Sequence, residues 1–376
     1  MRTGPVWLDL TELVVNPLQT GIQRVERELI RHWPNPGQLL PCRYDGEAGG
    51  FVALPDEVFS RLGARGSRTR SSTKEQLDQL RPLLADAAPV EFRADDILFN
   101  PEVFFDQGRS RQYRALAAAG RVEIAWIVYD FVVYLRPQDY PQGAVRGCMP
   151  YLQAMRDVGR AVFISEKTRA DHSRIIRREV DGVVVPLGAD GLELERQTGG
   201  PARGSYVCMG TIEPRKNIAL LLEVFVEYWR RGGAATLVLA GRMDSRSTRE
   251  IEMLAGLAGE PRLRVLGPVS DDTMREVLRD ARATFYLSEF EGFGIPPLES
   301  LQAGVPVVVH NATPSIAALP GGGQIRLDRL DRDSVAASLA RLEDDAALSV
   351  LWAEAAELCL PTWRDVVRQI AGWVTR

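Results

Sequence analysis

At 376 residues the chain is long enough for two or three domains, and its 45% apolar and 26% charged residues are ordinary for a globular protein. A formal net charge of -4 excludes the strong basic excess that is typical of nucleic-acid binding, so we expect no nucleic acid among its partners. The four cysteines lie far apart without a CxxC pair, which favours buried thiols in a reducing compartment.

The start of the sequence, MRTGPVWLDL, lacks the apolar core of a signal peptide, and no run of about 18 apolar residues follows anywhere. We therefore expect a cytoplasmic location. Peripheral contact with the inner membrane stays open, because the basic stretches 61–74 and 169–178 could meet acidic headgroups. A solvated loop and a solvated helix face are the favoured interpretation of these two stretches.

Short β-branched runs alternate with helical patterns along almost the whole chain. The runs are apolar on both faces, which predicts parallel sheets covered by helices on either side. The clearest helical pattern covers residues 217–231. The predicted strands are residues 97–100, 122–129, 161–165 and 183–187 in the first half, and 206–210, 236–241, 263–267, 283–287 and 305–309 in the second.

The alternation breaks at residues 189–205, which are polar and rich in glycine and which we interpret as an interdomain linker. Domains are accordingly expected over residues 1–195 and 200–360. The predicted fold class is α/β, with two doubly wound domains whose sheets face a cleft. Residues 48–90 have no clear strand rhythm and are predicted to be an insertion or a mobile loop.

The densest site signal is SEFEGFGIPPLESLQAG at residues 288–304. It follows an apolar strand, contains Gly292 and Gly294, and then opens a helix at Pro296 or Pro297, where proline is tolerated in a first turn. Glycines ahead of a helix N-terminus let backbone N–H groups approach a phosphate. This pattern predicts an anion site at the end of the strand.

Two carboxylates, Glu291 and Glu299, lie in the same segment, the first in the loop and the second in the first helical turn. Carboxylates repel phosphate, so they serve no purpose in binding it. They are suitable acceptors for the hydroxyl groups of a sugar and a ribose. A first-turn carboxylate that only stabilises its helix is the structural alternative for Glu299.

This segment resembles the signature of the family-four retaining glycosyltransferases, EGFG-x-P-x-x-E. The resemblance implies a GT-B fold of two Rossmann-like domains. It also implies that Glu291 contacts the hydroxyls of the donor sugar and that Glu299 binds the ribose. Backbone N–H groups of the glycine turn would hold the sugar and its phosphates. The matching residues are Glu291, Gly292, Phe293, Gly294, Pro296 and Glu299.

A second match is GTIEPRKN at residues 210–217, which is similar to a segment of the same family whose basic side chains neutralise the donor diphosphate. Positioned cations stabilise the charge that develops on such a leaving group, and Arg215 can bind phosphate through two hydrogen bonds. Lys216 is one of three lysines in an arginine-rich chain, which favours a site that needs a compact ammonium. Thr211 stands where some family members carry arginine, and we count it among the donor-binding residues.

In the first half, QTGIQR at residues 19–24 contains Gly21 and is similar to the family's loop against the reacting centre, with an ordinary helix cap as the alternative. Asp130 ends the strand EIAWIVYD and resembles part of the family's VYDLIP segment. It is a candidate to orient or deprotonate the acceptor hydroxyl, and a structural role is the alternative. Ser165 and Thr168 also match the family, with helix capping as their alternative. The last helix, within residues 361–376, resembles the helix that crosses back onto the first domain.

These resemblances identify the chain as a retaining hexosyltransferase that needs no cofactor and no metal. The partners implied are a nucleotide-diphosphate sugar and a glycan or lipid-linked acceptor in surface polysaccharide or lipopolysaccharide synthesis. Similarity to bacterial mannosyl- and rhamnosyltransferases favours GDP-mannose, with a UDP-hexose or dTDP-rhamnose as alternatives. In this family the leaving phosphate is usually assigned as the acceptor of the proton. A nucleotide-sugar epimerase or hydrolase of the same fold, and an inactive binding module, are the other hypotheses.

Overall fold

The computed structural model describes residues 4–17, 20–63, 78–84, 87–199 and 204–376. It divides into two compact units. The first unit consists of Met1–Leu187 together with Thr362–Arg376, and the second unit is Gly188–Pro361. Within the described part of the chain, no helix is long and apolar enough to cross a membrane.

In the described residues the first unit contains a seven-stranded sheet with the order β3-β2-β1-β4-β5-β6-β7. All neighbours are parallel except β2 and β3, which pair antiparallel at the edge. The buried faces of the central strands explain why they appear as unbroken apolar runs in the sequence. The strands are β1 (Val6–Asp9), β2 (Leu39–Asp45), β3 (Gly50–Ala53), β4 (Ile97–Asn100), β5 (Glu123–Val128), β6 (Arg160–Phe163) and β7 (Asp181–Val184).

Helices connect these strands, as the alternating pattern predicts. Short 3-10 turns lie at Pro36–Gln38, Arg81–Leu84 and Pro137–Asp139. The α-helices are α1 (Thr11–Val15), α2 (Gly21–His32), α3 (Asp56–Gly63), α4 (Gln107–Ala119), α5 (Val132–Leu135), α6 (Gln142–Gly147), α7 (Met149–Asp157) and α8 (Glu166–Ile176).

The second unit has a wholly parallel sheet, with six strands among its described residues in the order β10-β9-β8-β11-β12-β13. Its strands are β8 (Ser205–Met209), β9 (Leu237–Ala240), β10 (Leu263–Gly267), β11 (Ala281–Tyr286), β12 (Val307–His310) and β13 (Gln324–Leu327). Its helices are a 3-10 turn (Pro214–Lys216), α9 (Ile218–Arg230), α10 (Thr248–Gly256), α11 (Asp271–Arg279), α12 (Ile295–Gln302), α13 (Pro314–Ala317), α14 (Arg332–Glu343) and α15 (Asp345–Glu357).

The last helix, α16 (Trp363–Val374), belongs to the first unit and packs against α2. Its apolar side chains repeat at helical spacing, and Trp363 and Ile370 on that face are each 1% exposed. The side chain of Arg160 donates hydrogen bonds to the carbonyls of Trp373 and Val374 at 2.6 and 3.0 Å. These bonds satisfy carbonyls at the helix end and hold it to β6.

Residues 189–205, predicted to be a linker, belong to the second unit where the structure describes them. Leu192 and Leu194 are buried in the core of that unit, and Arg196 donates to the carbonyl of Leu358 at 2.5 Å. The boundary therefore falls after Leu187 rather than after residue 195. The buried leucines explain the difference. Burial of their apolar side chains stabilises this segment against the second unit, whereas a free linker would leave them exposed to water.

The segment 48–90, predicted to be an insertion or a mobile loop, contains β3 and α3 in its described part. Residues 64–77 and 85–86 lie outside the described residues, and so does most of the basic stretch 61–74. The prediction for the cysteines is correct for three of them: Cys42, Cys148 and Cys208 are buried, whereas Cys359 is exposed.

Candidate functional site

The two sequence motifs of the second unit meet at the carboxyl edge of its sheet. Each follows one of two neighbouring parallel strands, β8 and β11, so both begin at the same edge. Backbone and side chain then link them: the N–H of Glu289 donates to the carbonyl of Arg215 at 2.9 Å, and Asn217 donates to the carbonyl of Leu287 at 3.0 Å. Ligands of open α/β sheets bind at this edge.

The turn after β8 needs glycine at two places. Gly210 has φ +114°, in the region that favours glycine, and its carbonyl is held so closely that a Cβ at Gly241 would lie 1.9 Å from the oxygen. A 3-10 turn with Pro214 in its first position follows, and Asn217 in a left-handed conformation then leads into α9. Thr211 is partly buried in this turn.

Arg215 is engaged by protein groups on several sides. Its guanidinium donates to the carbonyl of Phe290 at 2.6 Å and to Glu213 at 2.7 Å, and it lies 2.6 Å from a carboxylate oxygen of Glu291. The sequence assigned Arg215 to the donor diphosphate. In this structure its contacts join the two motifs and position Glu291.

Glu291 lies in the loop after β11, with its side chain 12% exposed. The hydroxyl of Tyr286 donates to its Oε1 at 2.5 Å. Burial alone would raise the pKa of Glu291. The charges of Lys216 and Arg215 outweigh that effect and hold the pKa of this carboxyl below its ordinary value. Glu291 is therefore a carboxylate at neutral pH, able to accept hydrogen bonds from hydroxyl groups.

Lys216 carries the positive charge of this site that is available to an anion. Its Nζ lies 5.2 Å from the centroid of the Tyr286 ring, and among the described residues it forms no ion pair. The ammonium lies close to the turn after β8, since a Cβ built on Gly210 would be 2.9 Å from Nζ. This arrangement supports the predicted role of Lys216 in neutralising a diphosphate.

The glycine turn of the second motif ends at Gly294, which has φ +96° and is the N-cap of α12. A Cβ there would lie 2.8 Å from Cγ2 of Thr313, so both backbone conformation and space require glycine. Phe293 is 5% exposed, and Gly292 precedes it in the turn. Pro296 and Pro297 carry no N–H, so the backbone donors at the start of α12 that are suited to bind an anion are those of Gly294 and Ile295.

Glu299 is the fifth residue of α12 and is 8% exposed. The sequence placed it in the first helical turn. The helix begins at Ile295, one residue before Pro296, so Glu299 falls at the start of the second turn instead. Glu291 and Glu299 thus lie on separate parts of the motif, one in the loop and one in the second turn.

The predicted residues of the first unit lie at the carboxyl edge of its own sheet. Gly21 opens α2, and Thr20 caps that helix by accepting from the N–H of Gln23. Gln19 of the QTGIQR motif lies outside the described residues. Asp130 is exposed after β5 and accepts from the N–H of Val132, the first residue of α5, at 3.0 Å. Its placement is compatible with both a structural and an acceptor role.

The capping interpretation of Ser165 and Thr168 is confirmed. Ser165 accepts from the N–H of Thr168 at the start of α8, and the hydroxyl of Thr168 donates to the carbonyl of Tyr129 at 2.8 Å.

Sequence reasoning missed Tyr286, which contacts Glu291 and lies beneath the ammonium of Lys216. It also missed Glu213, which binds Arg215. The signal for Tyr286 was its place as the last residue of an apolar strand, where its polar end reaches the ligand-binding edge.

Residues 201–358 match the family model of glycosyl transferases group 1. The chain is also similar to the serotype-specific mannosyltransferase WbdA of Escherichia coli, with 25% identity over 82% of this chain and 38% of WbdA. It therefore spans about two fifths of the length of that relative. It is 27% identical to the O-antigen chain mannosyltransferase B of Escherichia coli, over 58% of this chain and 61% of that protein.

Two solved structures of similar fold cover nearly the whole chain. One is HepE of Anabaena in complex with UDP and glucose, with TM-score 0.68, 14% identity and coverage of 99% of both chains. The other is WaaG, a glycosyltransferase involved in lipopolysaccharide biosynthesis, with TM-score 0.62, 14% identity and coverage of 98% and 99%. The chain thus has the GT-B fold of two Rossmann-like units, and its second unit carries a domain of the glycosyl transferases group 1 family.

Proposed function

We propose that the protein is a retaining glycosyltransferase. It moves a hexose from a nucleoside diphosphate sugar to a glycan or lipid-linked acceptor in the synthesis of a surface polysaccharide, at the cytoplasmic side of the inner membrane. The observation that carries this proposal is the combination of an anionic and a cationic group at one sheet edge. Glu291 supplies a carboxylate for sugar hydroxyls, and Lys216 supplies an ammonium for the diphosphate.

The chemistry needs one bond to break and one to form. The bond from the anomeric carbon to the diphosphate oxygen breaks, and the acceptor oxygen forms its bond to the same face of that carbon. The acceptor proton passes to the leaving diphosphate. Lys216 and the N–H groups at the start of α12 stabilise the negative charge that grows on the leaving group.

Metal ions are dispensable in this proposal, because Lys216 and the N-terminus of α12 supply positive potential to the diphosphate. Transfer should continue in excess EDTA at the rate seen without it. Activity that EDTA abolishes and that Mg²⁺ or Mn²⁺ restores would reject this part of the proposal.

GDP-mannose is the donor we propose, supported by the similarity to two mannosyltransferases of Escherichia coli. A panel of GDP-mannose, UDP-glucose and dTDP-rhamnose, followed by thermal unfolding, tests this choice. A ligand at 100 times its dissociation constant stabilises by roughly 2.7 kcal/mol, which is measurable as a shift in Tm. A larger shift with UDP-glucose or dTDP-rhamnose would replace GDP-mannose as the donor.

The activity itself is tested by incubating the protein with GDP-mannose alone and then with a lipid-linked glycan acceptor. We expect GDP release and an extended glycan with the α-anomeric configuration of the donor, read by NMR, only when the acceptor is present. Free mannose without acceptor would indicate a hydrolase, and an altered nucleotide sugar would indicate an epimerase. Binding of GDP-mannose without any product in either reaction would indicate a binding module.

A further inference from the structure

Ser315 holds two consecutive carbonyl groups of the glycine turn. Its backbone N–H donates to the carbonyl of Phe293 at 3.0 Å, and its hydroxyl donates to the carbonyl of Gly294 at 2.7 Å. Ser315 is 2% exposed and lies in α13, which follows β12 at the same edge of the sheet. The segment after β12 is therefore joined by two hydrogen bonds to the turn that precedes α12.

Because a peptide unit is rigid, fixing these two carbonyls also fixes the direction of two N–H groups. In a trans peptide the carbonyl and the N–H point in opposite directions, and the unit is planar. The carbonyl of Phe293 shares its peptide with the N–H of Gly294, and the carbonyl of Gly294 shares its peptide with the N–H of Ile295. With both carbonyls directed to Ser315, both N–H groups point away from it.

These N–H groups belong to the N-cap and first residue of α12, where no earlier carbonyl of the helix can accept from them. Gly294 adopts φ +96°, and because glycine has no Cβ, a wide range of other backbone conformations is open to it. The hydroxyl of Ser315 fixes the second of the two peptides.

We propose that Ser315 is a positioning residue that directs the N–H groups of Gly294 and Ile295 at the diphosphate of the nucleotide donor. It touches the turn and acts through it. This inference rests on the proposed function, because it takes the anion at α12 to be a nucleoside diphosphate. Ser315 follows β12, so it adds a residue from a third loop to a site formed by the loops after β8 and β11.

The test is Ser315→Ala, which removes the hydroxyl and keeps the backbone N–H. Ser338→Ala is the matched control. Ser338 is 3% exposed in α14 of the same unit, and its hydroxyl also donates to a backbone carbonyl, that of Ser334 at 2.8 Å. The affinities for GDP and for guanosine are measured by calorimetry, and an affinity too weak for calorimetry is measured by NMR titration. UDP with uridine and dTDP with thymidine form two further pairs of probes.

We expect Ser315→Ala to weaken GDP binding roughly tenfold, as the loss of a hydrogen bond to a charged-ligand site would. Guanosine affinity should stay unchanged, since the nucleoside has no phosphate for the N–H groups to bind. Ser338→Ala should change neither. This split would distinguish positioning of a phosphate site from a general loss of structure.

Either of two results with Ser315→Ala would overturn the inference. Unchanged GDP affinity in Ser315→Ala would show that the hydroxyl does not direct the turn, while the proposed function would stand. Equal loss of GDP and guanosine affinity would assign Ser315 to the stability of the fold alone. If the unaltered protein bound none of GDP, UDP and dTDP more tightly than the matching nucleoside, the proposed function would fail and this inference with it.

Discussion

The hydroxyl of Tyr286 donates a hydrogen bond of 2.5 Å to Glu291, and the ring of the same tyrosine lies beneath the ammonium of Lys216. Burial, and then the charge of Glu291, raise the pKa of Tyr286, so the phenol keeps its proton and remains a donor. One buried side chain thus positions the carboxylate proposed to bind the sugar and contacts the cation proposed to bind the diphosphate.

Tyr286→Phe should reduce kcat roughly 10- to 100-fold, because a hydrogen bond to a charged group is worth about 1.5–3 kcal/mol. The ring beneath Lys216 is retained, so GDP affinity should change little. Loss of this donor raises the pKa of Glu291, which moves the acidic limb of the kcat/KM profile to higher pH. Tyr206→Phe is the matched control, since the hydroxyl of Tyr206 donates to Glu343 at 2.6 Å in the same unit. An acidic limb that does not move would disprove the coupling.

Lys216→Ala should lower kcat by about 100- to 1000-fold while donor affinity falls less, because the diphosphate gains charge in the transition state. Lys167→Ala serves as the control, since Lys167 forms an ion pair with Asp171 at 2.6 Å in the first unit. Steady-state kinetics of both variants give the comparison. An unchanged kcat in folded Lys216→Ala would remove this lysine from the reaction.

Asp130→Asn separates the two roles open to Asp130. Asparagine can accept the same hydrogen bond from the N–H of Val132, so stability should hold, whereas transfer should fall at least tenfold if the charge acts on the acceptor hydroxyl. Asp130→Ala removes this hydrogen bond and should lose about 1 kcal/mol of stability as well. Full activity in Asp130→Asn would assign Asp130 a structural role.

His172 should make the first unit sensitive to acid. It is 1% exposed between the rings of Phe131 and Phe163, and burial lowers the pKa of His172 to about 4. An unfolded histidine has a pKa of about 6.5, so this stabilisation is complete above pH 6.5 and is lost as the pH falls from there toward 4. The loss amounts to roughly 3 kcal/mol at most. Tm measured from pH 7 to 5 should fall less steeply in His172→Phe, and parallel curves for the two proteins would contradict the assignment.

The sequence predicted best those parts of the fold that show buried apolar runs. β4 and β10 have the predicted limits, and the other predicted strands differ from the structure by at most three residues at an end. β2 was missed because it contains a proline and charged residues and pairs at the edge with antiparallel β3. β13 was missed because its four residues, QIRL, mix polar and apolar types.

The site was predictable in its motifs and less so in its contacts. The spacing of the glycines and carboxylates in the sequence predicted the glycine turn and the two acidic side chains of the site. That Arg215 would bind Glu213 and Glu291, and that Ser315 would hold Gly294, depends on loops that meet only after folding. The linker prediction failed for the same reason, because the burial of Leu192 depends on distant residues.

Calorimetric affinity for GDP, measured beside kcat in Glu291→Gln and Glu299→Gln, tests the donor site most directly. Glu291 lies in the loop beside Lys216 and is proposed to bind the sugar, so its variant should lose transfer while GDP affinity stays near normal. Glu299 lies in the second turn of α12 and is proposed to bind the ribose, which donor and product share. Its variant should therefore also weaken GDP binding. Equal loss of GDP affinity in the two variants, or no loss in either, would contradict the account.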